Sequence, residues 1–244
     1  MVSFRSTLET AKENVVRIEI SMEGKEGNGS GILIDDEGTL ITCEHVVRPE
    51  ERAPDSLRVR KGAEHFEPEI LRLDRNRDIA ILRVEQFQGQ CSFKGYDDVE
   101  IGEEGFVLGY PLRMGHLTIL PCTISAKGEY LISDYPYKLI QIGARVNRGN
   151  SGGPVIDSET GNMIGIVTMK YIPFFQSVDE VRRTFHAIPE APEGGIRFGP
   201  VDWWAYFNLV NESLRRLVDA LMLVQVGIGW VIPSDLILEN LESL

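Results

Sequence analysis

The apolar positions of this chain fall in short runs separated by turn residues. Between Val15 and Val84 the runs are VVRIEIS, GILID, TLIT, EILRL and IAILRV, broken by clusters such as EGKEGNG and DDEG. Short alternating runs rich in β-branched residues, bounded by Gly, Asp and Asn, read as strands. A second set follows with GFVLGYP, LTILPCTIS, YLIS, KLIQIG, GPVID, NMIGIVTM and QVGIGWVIP. A parallel α/β sheet needs a helix between successive strands, and none is patterned here. The sequence therefore predicts an all-β fold in two successive groups, about residues 15–95 and 99–235, built as two small barrels or a sandwich. Together they are read as a single unit over 1–244.

One stretch breaks the pattern. From about residue 172 to 225 the chain runs through HAIPEAPEGGIRFGPVD. It then places apolar residues at Trp203, Phe207, Val210, Leu214, Leu217, Leu221 and Val224. That spacing draws one stripe along a helix, with Asn208, Asn211, Arg215, Arg216 and Asp219 off it. Two uses of the stripe are open. It packs on the protein's own barrel, or it is the narrower seam of a coiled-coil contact, giving a homo-oligomer through residues 203–224. Few basic residues line the polar face, which disfavours a membrane surface. After Pro233, Ser234 is expected to cap a short helix reaching Leu244.

Composition narrows the function. With 244 residues, 43% of them hydrophobic, the chain can bury a sizeable core. No apolar run approaches the roughly 18–20 residues of a spanning helix. The N-terminus MVSFRSTLETAKENVVRIEI lacks the basic start and apolar stretch of a secretory signal, so a cytoplasmic protein is expected. A formal charge of −12 with no basic stripe argues against nucleic-acid binding. Cys43, Cys91 and Cys122 fit neither a disulfide framework nor a zinc site. His45, His65, His116 and His186 show no metal-ligand spacing, and neither a metal nor another cofactor is expected.

The candidate chemistry lies in Asn147-Arg148-Gly149-Asn150-Ser151-Gly152-Gly153-Pro154. Glycines around one serine allow positive φ and close approach of a substrate carbonyl. Such a loop can turn amides of Gly149, Asn150 and Ser151 toward one oxyanion. A glycine-rich turn with an incidental serine would look the same. A serine hydroxyl needs a base, and His45 is best placed, directly after the strand-like Leu40-Ile41-Thr42. The base needs a partner on its other nitrogen, and Asp78 opens the apolar run Ile79-Ala80-Ile81-Leu82. A strand-start cap is the plainer role for that aspartate. Gly149 to Gly153 also satisfies G-x-S-x-G. A nucleophile elbow, however, requires a helix directly after the serine and a later histidine, whereas Pro154-Val155-Ile156-Asp157 reads as a strand.

In these residues the sequence resembles the chymotrypsin-like serine peptidases, and within them the Deg/HtrA-type protease domain without a PDZ domain. Gly29-Ser30-Gly31-Ile32-Leu33-Ile34 leads to Thr42-Cys43-Glu44-His45-Val46-Val47. Asp78 to Leu82 follows, then Asn147 to Pro154 with Ile164-Gly165-Ile166, then Ile228 to Ser234. The resemblance implies a trypsin-like pair of six-stranded β-barrels, with His45 and Asp78 on the first and Ser151 on the second. It implies a serine endopeptidase acting through an acyl-enzyme on protein or peptide substrates. Arg145 falls at the pocket-base position of such enzymes, which implies a preference for acidic or polar side chains at the cleaved residue, with a surface or structural ion pair as its alternative role. Thr168 and Met169 end a strand that lines the pocket and are expected to bind substrate with it. Asn150 stands where digestive relatives carry an activating aspartate, so activity should depend on loop order. The 172–225 insert has no counterpart in the short family form. A binding or assembly module, or a protease gated by that insert, is the alternative.

Overall fold

The computed structural model describes residues 4–49, 52–132, 135–169, 181, 184, 197–198, 201–221 and 227–244. The chain divides into two units, Met1–Tyr171 with Gln225–Leu244, and Ile172–Val224.

The first unit opens with a helix, α1 (Phe4–Asn14), that the run pattern does not announce. Its sequence FRSTLETAKEN carries too few apolar residues for a clear stripe. It is anchored instead by buried Ala11 and by Asn14, whose Nδ2 donates to the Gln90 carbonyl at 2.6 Å. Strands β1 (Val15–Met22), β2 (Lys25–Leu33) and β3 (Thr39–Thr42) follow, then the single helical turn α2 (Glu44–Val47). Strands β4 (Ser56–Lys61), β5 (Glu64–Phe66), β6 (Glu69–Asp74) and β7 (Ile79–Arg83) complete an antiparallel sheet ordered β5-β4-β1-β2-β3-β7-β6. β2 begins inside the cluster that reads as a turn. Its glycines mark close packing: a Cβ on Gly29 would lie 2.3 Å from Val46 Cγ1 of α2, and one on Gly27 2.8 Å from Ile20 Cγ1.

Strands β8 (Glu104–Gly109), β9 (Thr118–Ile132), β10 (Tyr135–Gly143), β11 (Pro154–Asp157) and β12 (Met163–Thr168) form most of a second sheet. In the second unit, β13 (Arg197–Phe198) pairs with β14 (Val201–Asp202), and α3 (Trp203–Leu221) follows. Back in the first unit, β15 (Gly229–Pro233) inserts between β10 and β12 and closes a six-stranded barrel, β10-β15-β12-β11-β8-β9. The fold is thus the two-sheet trypsin-like architecture, with the first sheet a seven-stranded half-barrel and the second closed. Ile18, Ile32, Leu40, Ile41, Ile79 and Ile81 fill the first sheet, and the same apolar cluster runs on to Leu108, Ile156, Ile166 and Ile232 of the second. Continuous burial across the two sheets fixes the seam on which the site is built.

Two local expectations change. The last helix, α4 (Ser234–Glu242), is entered from Pro233 at its N-cap, and Ser234 is its first residue. The Ser234 hydroxyl donates to the Lys94 carbonyl, so it ties the helix to the interbarrel segment instead of capping it. In α3, Phe207, Val210 and Leu217 of the predicted stripe are exposed, while Asn211 and Val218 are buried. Helical phase alone marks an apolar face without saying that it is the one covered. His65 lies exposed on β5, and His186 falls outside the described residues.

Candidate active site

α2 starts directly where β3 ends, so His45 is carried at a strand terminus by a single turn. The turn is anchored by Asp78 from the start of β7. Glu44 N–H donates to the Asp78 backbone carbonyl at 3.2 Å, and His45 N–H to Asp78 Oδ1 at 3.0 Å. The same carboxylate lies 2.9 Å and 2.8 Å from His45 Nδ1, through Oδ1 and Oδ2 respectively. Thr168 Oγ1 of β12 donates to Oδ2 at 2.7 Å. Asp78 is wholly buried and holds φ 58°, a left-handed conformation that aspartate tolerates better than most residues. A buried carboxylate facing Nδ1 keeps the imidazole proton there and leaves the Nε2 lone pair available.

Cys43 is buried beside this pair, its Sγ 3.3 Å from the Val167 carbonyl. Burial, reinforced by the Asp78 charge, pushes its thiol well above the ordinary value, so it packs as a neutral group. Cys43, His45 and Asp78 bring ligand-type atoms within 4.8 Å of one another. Both Asp78 carboxylate oxygens already accept hydrogen bonds from His45 and Thr168, so these atoms are committed to the His45 pair.

The nucleophile loop crosses from the second sheet. Gly149 and Gly152 adopt φ 98° and 81°, and neither position tolerates a β-carbon. At Gly152 it would lie 2.2 Å from both the Ser30 carbonyl and Thr42 Oγ1, and at Gly149 2.3 Å from the Tyr110 carbonyl. The backbone next to Ser151 thus presses on the Thr42-Cys43 end of β3 that carries His45. Each carbonyl from Arg148 to Ser151 is taken. Leu112 N–H binds that of Arg148 at 2.8 Å, Ser30 Oγ that of Gly149 at 2.6 Å, Gly153 N–H that of Asn150 at 2.9 Å, and Ser30 N–H that of Ser151 at 2.9 Å. Among the described residues, the amides of Gly149 and Ser151 and the Ser151 hydroxyl make no hydrogen bond. They are two backbone donors and one hydroxyl left unused on one glycine-lined loop.

Two sequence assignments are revised by these contacts. Asn150 N–H donates to the Asn147 carbonyl at 2.9 Å, which removes Asn150 from the candidate oxyanion donors. The Thr168 side chain is committed to Asp78, so it supports the His45 pair and its hydroxyl is not offered to substrate. Arg145 is exposed and forms no ion pair among the described residues, while Met169 is half-buried beyond the end of β12. In the sequence Ser30 stands within a glycine motif, Gly29-Ser30-Gly31, and nothing local marks it as the residue that holds the nucleophile loop. The strand β11 follows Ser151 after two glycines, so no helix makes a nucleophile elbow.

Residues 29–166 match the model of the trypsin-like peptidase domain. The chain belongs to this family. The trypsin-like peptidase domain described here is 31% identical over 224 residues to Protease Do-like 1, chloroplastic, of Arabidopsis thaliana, covering 88% of this chain and 48% of that protein. It is 31% identical over 147 residues to a probable periplasmic serine endoprotease, DegP-like, of Rhizobium meliloti, covering 59% of this chain and 28% of that one. The chain thus spans half or less of these relatives. Among solved structures, the HtrA-type protease AlgW with tripeptide superposes with a TM-score of 0.68 at 22% identity, over 99% of this chain and 63% of that one. The Rv3671c protease of M. tuberculosis, active form, gives 0.59 at 27% identity, over 66% and 72%. The domain is thus similar to proteins named as Deg- and HtrA-type proteases.

Proposed function

We propose that the chain is a serine endopeptidase in which Ser151 attacks the scissile carbonyl, His45 is the general base and Asp78 orients it. The observation that carries this reading is the buried Asp78 carboxylate closing on His45 Nδ1 at 2.8 Å. Attack passes the Ser151 proton to Nε2, and the imidazolium that forms is stabilised by the adjacent carboxylate. The amides of Gly149 and Ser151 receive the oxyanion. Collapse of the tetrahedral species passes the proton to the departing amine and leaves an acyl-Ser151 ester, which water cleaves by the same steps. Arg145, which forms no ion pair among the described residues, supports a preference for acidic or polar side chains at the cleaved residue. A tripeptide accompanies the AlgW structure, and we extend peptide binding to this chain on that likeness. The unpaired thiols of Cys43, Cys91 and Cys122 support a reducing, cytoplasmic setting.

The decisive experiment is labelling with a fluorophosphonate probe alongside cleavage of an unfolded protein. Wild type should label and cleave, and Ser151→Ala should do neither, with turnover down by several orders of magnitude. Wild type that stays unlabelled and inert would remove the reading. A peptide library tests Arg145 separately: indifference to aspartate and glutamate at the cleaved position would end the specificity proposal. Isolation of a disulfide-linked form from cells would end the compartment proposal.

A further inference from the structure

We infer that Ser30 is a positioning residue for the oxyanion hole, holding the nucleophile loop in register from the opposite sheet. The inference rests on the peptidase reading above. Ser30 lies on β2, in the half that carries His45 and Asp78, and is completely buried. All its polar groups are committed at the seam. Its N–H donates to the Ser151 carbonyl at 2.9 Å, its Oγ to the Gly149 carbonyl at 2.6 Å, and its carbonyl accepts from Thr42 Oγ1 at 2.7 Å. Its Oγ also accepts from Tyr110 N–H at 2.9 Å.

That last contact sets the direction of the hydroxyl. A serine hydroxyl has one proton, and with Tyr110 N–H pointing at the oxygen the proton is directed to Gly149. A planar trans peptide ties each carbonyl to the N–H on its other side. Peptide 149–150 is therefore held at both ends, by Ser30 Oγ on its carbonyl and by the Asn147 carbonyl on its N–H. Peptide 151–152 is held likewise, by Ser30 N–H and by the Val167 carbonyl, which accepts from Gly152 N–H at 2.8 Å. The Ser151 amide, in peptide 150–151, lies between these two fixed planes, and the Gly149 amide, in peptide 148–149, adjoins the first of them; among the described residues neither amide makes a hydrogen bond of its own. Leu112 N–H on the Arg148 carbonyl comes from the segment that Ser30 Oγ grips through Tyr110, so the hydroxyl joins both supports of the loop.

The test is Ser30→Ala, read by steady-state kinetics on a peptide substrate, by affinity for a peptide boronate that places an oxygen in the hole, and by thermal unfolding. Removing a direct oxyanion donor typically costs about 10² to 10³ in rate, and a displaced one costs less. We expect kcat to fall roughly tenfold to a hundredfold with KM nearly unchanged, and boronate affinity to fall in parallel. If Ser30→Ala does not fold, Ser30→Cys, whose thiol is a weaker donor, is read in the same way. Unchanged kcat and boronate affinity in a folded variant would overturn the inference, as would a loss confined to KM. An inert wild type would overturn the peptidase reading and this inference with it; an active wild type with an unimpaired variant would overturn this inference alone.

Discussion

Replacing Thr168 with valine keeps the shape of the side chain and removes one donor from Asp78. The carboxylate is wholly buried and receives His45 N–H at 3.0 Å, His45 Nδ1 at 2.8 Å and Thr168 Oγ1 at 2.7 Å. A hydrogen bond to a charged group is worth about 1.5–3 kcal/mol net, and a methyl against the vacated oxygen offers nothing in return. Unfolding free energy should fall by that amount. For a chain of this size each kcal/mol moves the midpoint by about 2–4 °C, so the variant should melt roughly 3–12 °C lower. Turnover should respond differently. The bond is present before and during the reaction, so most of its energy cancels between ground and transition states. We expect kcat to fall less than about tenfold, far less than for Ser151→Ala. Differential scanning calorimetry and initial rates on the same preparations check both halves. A variant that melts within one degree of wild type, on the order of the measurement error, would refute the account of Asp78 as a carboxylate dependent on its donors.

Further consequences concern the loop, the interbarrel segment and the thiols. Gly152→Ala should abolish turnover and destabilise the seam, because the new β-carbon would meet the Ser30 carbonyl and Thr42 Oγ1 at 2.2 Å with φ at 81°; a folded, fully active variant would contradict the close approach. Asp157 is desolvated by burial, which pushes its pKa up, yet the Lys94 hydrogen bond, the bonds from Thr160 and the Lys94 charge outweigh this and hold it below 3.8. A depressed native pKa adds stability that is complete above the unfolded value and is lost as pH falls through the native one. Asp157→Asn should therefore lose denaturant stability at about pH 7, with the gap to wild type narrowing as pH falls below the unfolded carboxylate value; a constant gap would refute the linkage. Burial pushes the Cys91 and Cys122 thiols up to about 12 and the Cys43 thiol well above its ordinary value. Near pH 8, on the order of one unit below an unshifted thiol, all three should resist iodoacetamide until denaturant is added, as mass spectrometry would report.

Much of the fold was legible because most strands obey a period of two and end at turn residues. β1, β3, β7 and β12 fall where their apolar runs lie. β4 and β5 were not foreseen: SLRVRK and EHF carry more charge than apolar surface, and β5 is an edge strand with one face in water. β9 joins two runs that read as separate strands, because Lys127, Gly128 and Glu129 look like a turn but keep pairing with β10. At the site, the pairing of His45 with Asp78 was readable from two strand-end positions. The assignment of Asn150 and Thr168 was not, because it turns on where one N–H and one hydroxyl point. Such directions depend on residues far away in sequence, as Ser30 shows with partners at Tyr110, Gly149 and Ser151.

The base and its carboxylate stand on one sheet and the nucleophile on the other, joined by a few short bonds across a shared apolar seam. Misalignment of an ångström between reacting groups can cost about 10² in rate, whereas a strand ladder survives such a shift intact. On gentle heating, catalytic output should therefore fade before far-ultraviolet dichroism records any loss of strand, which makes turnover the more sensitive thermometer of how the two halves are mated.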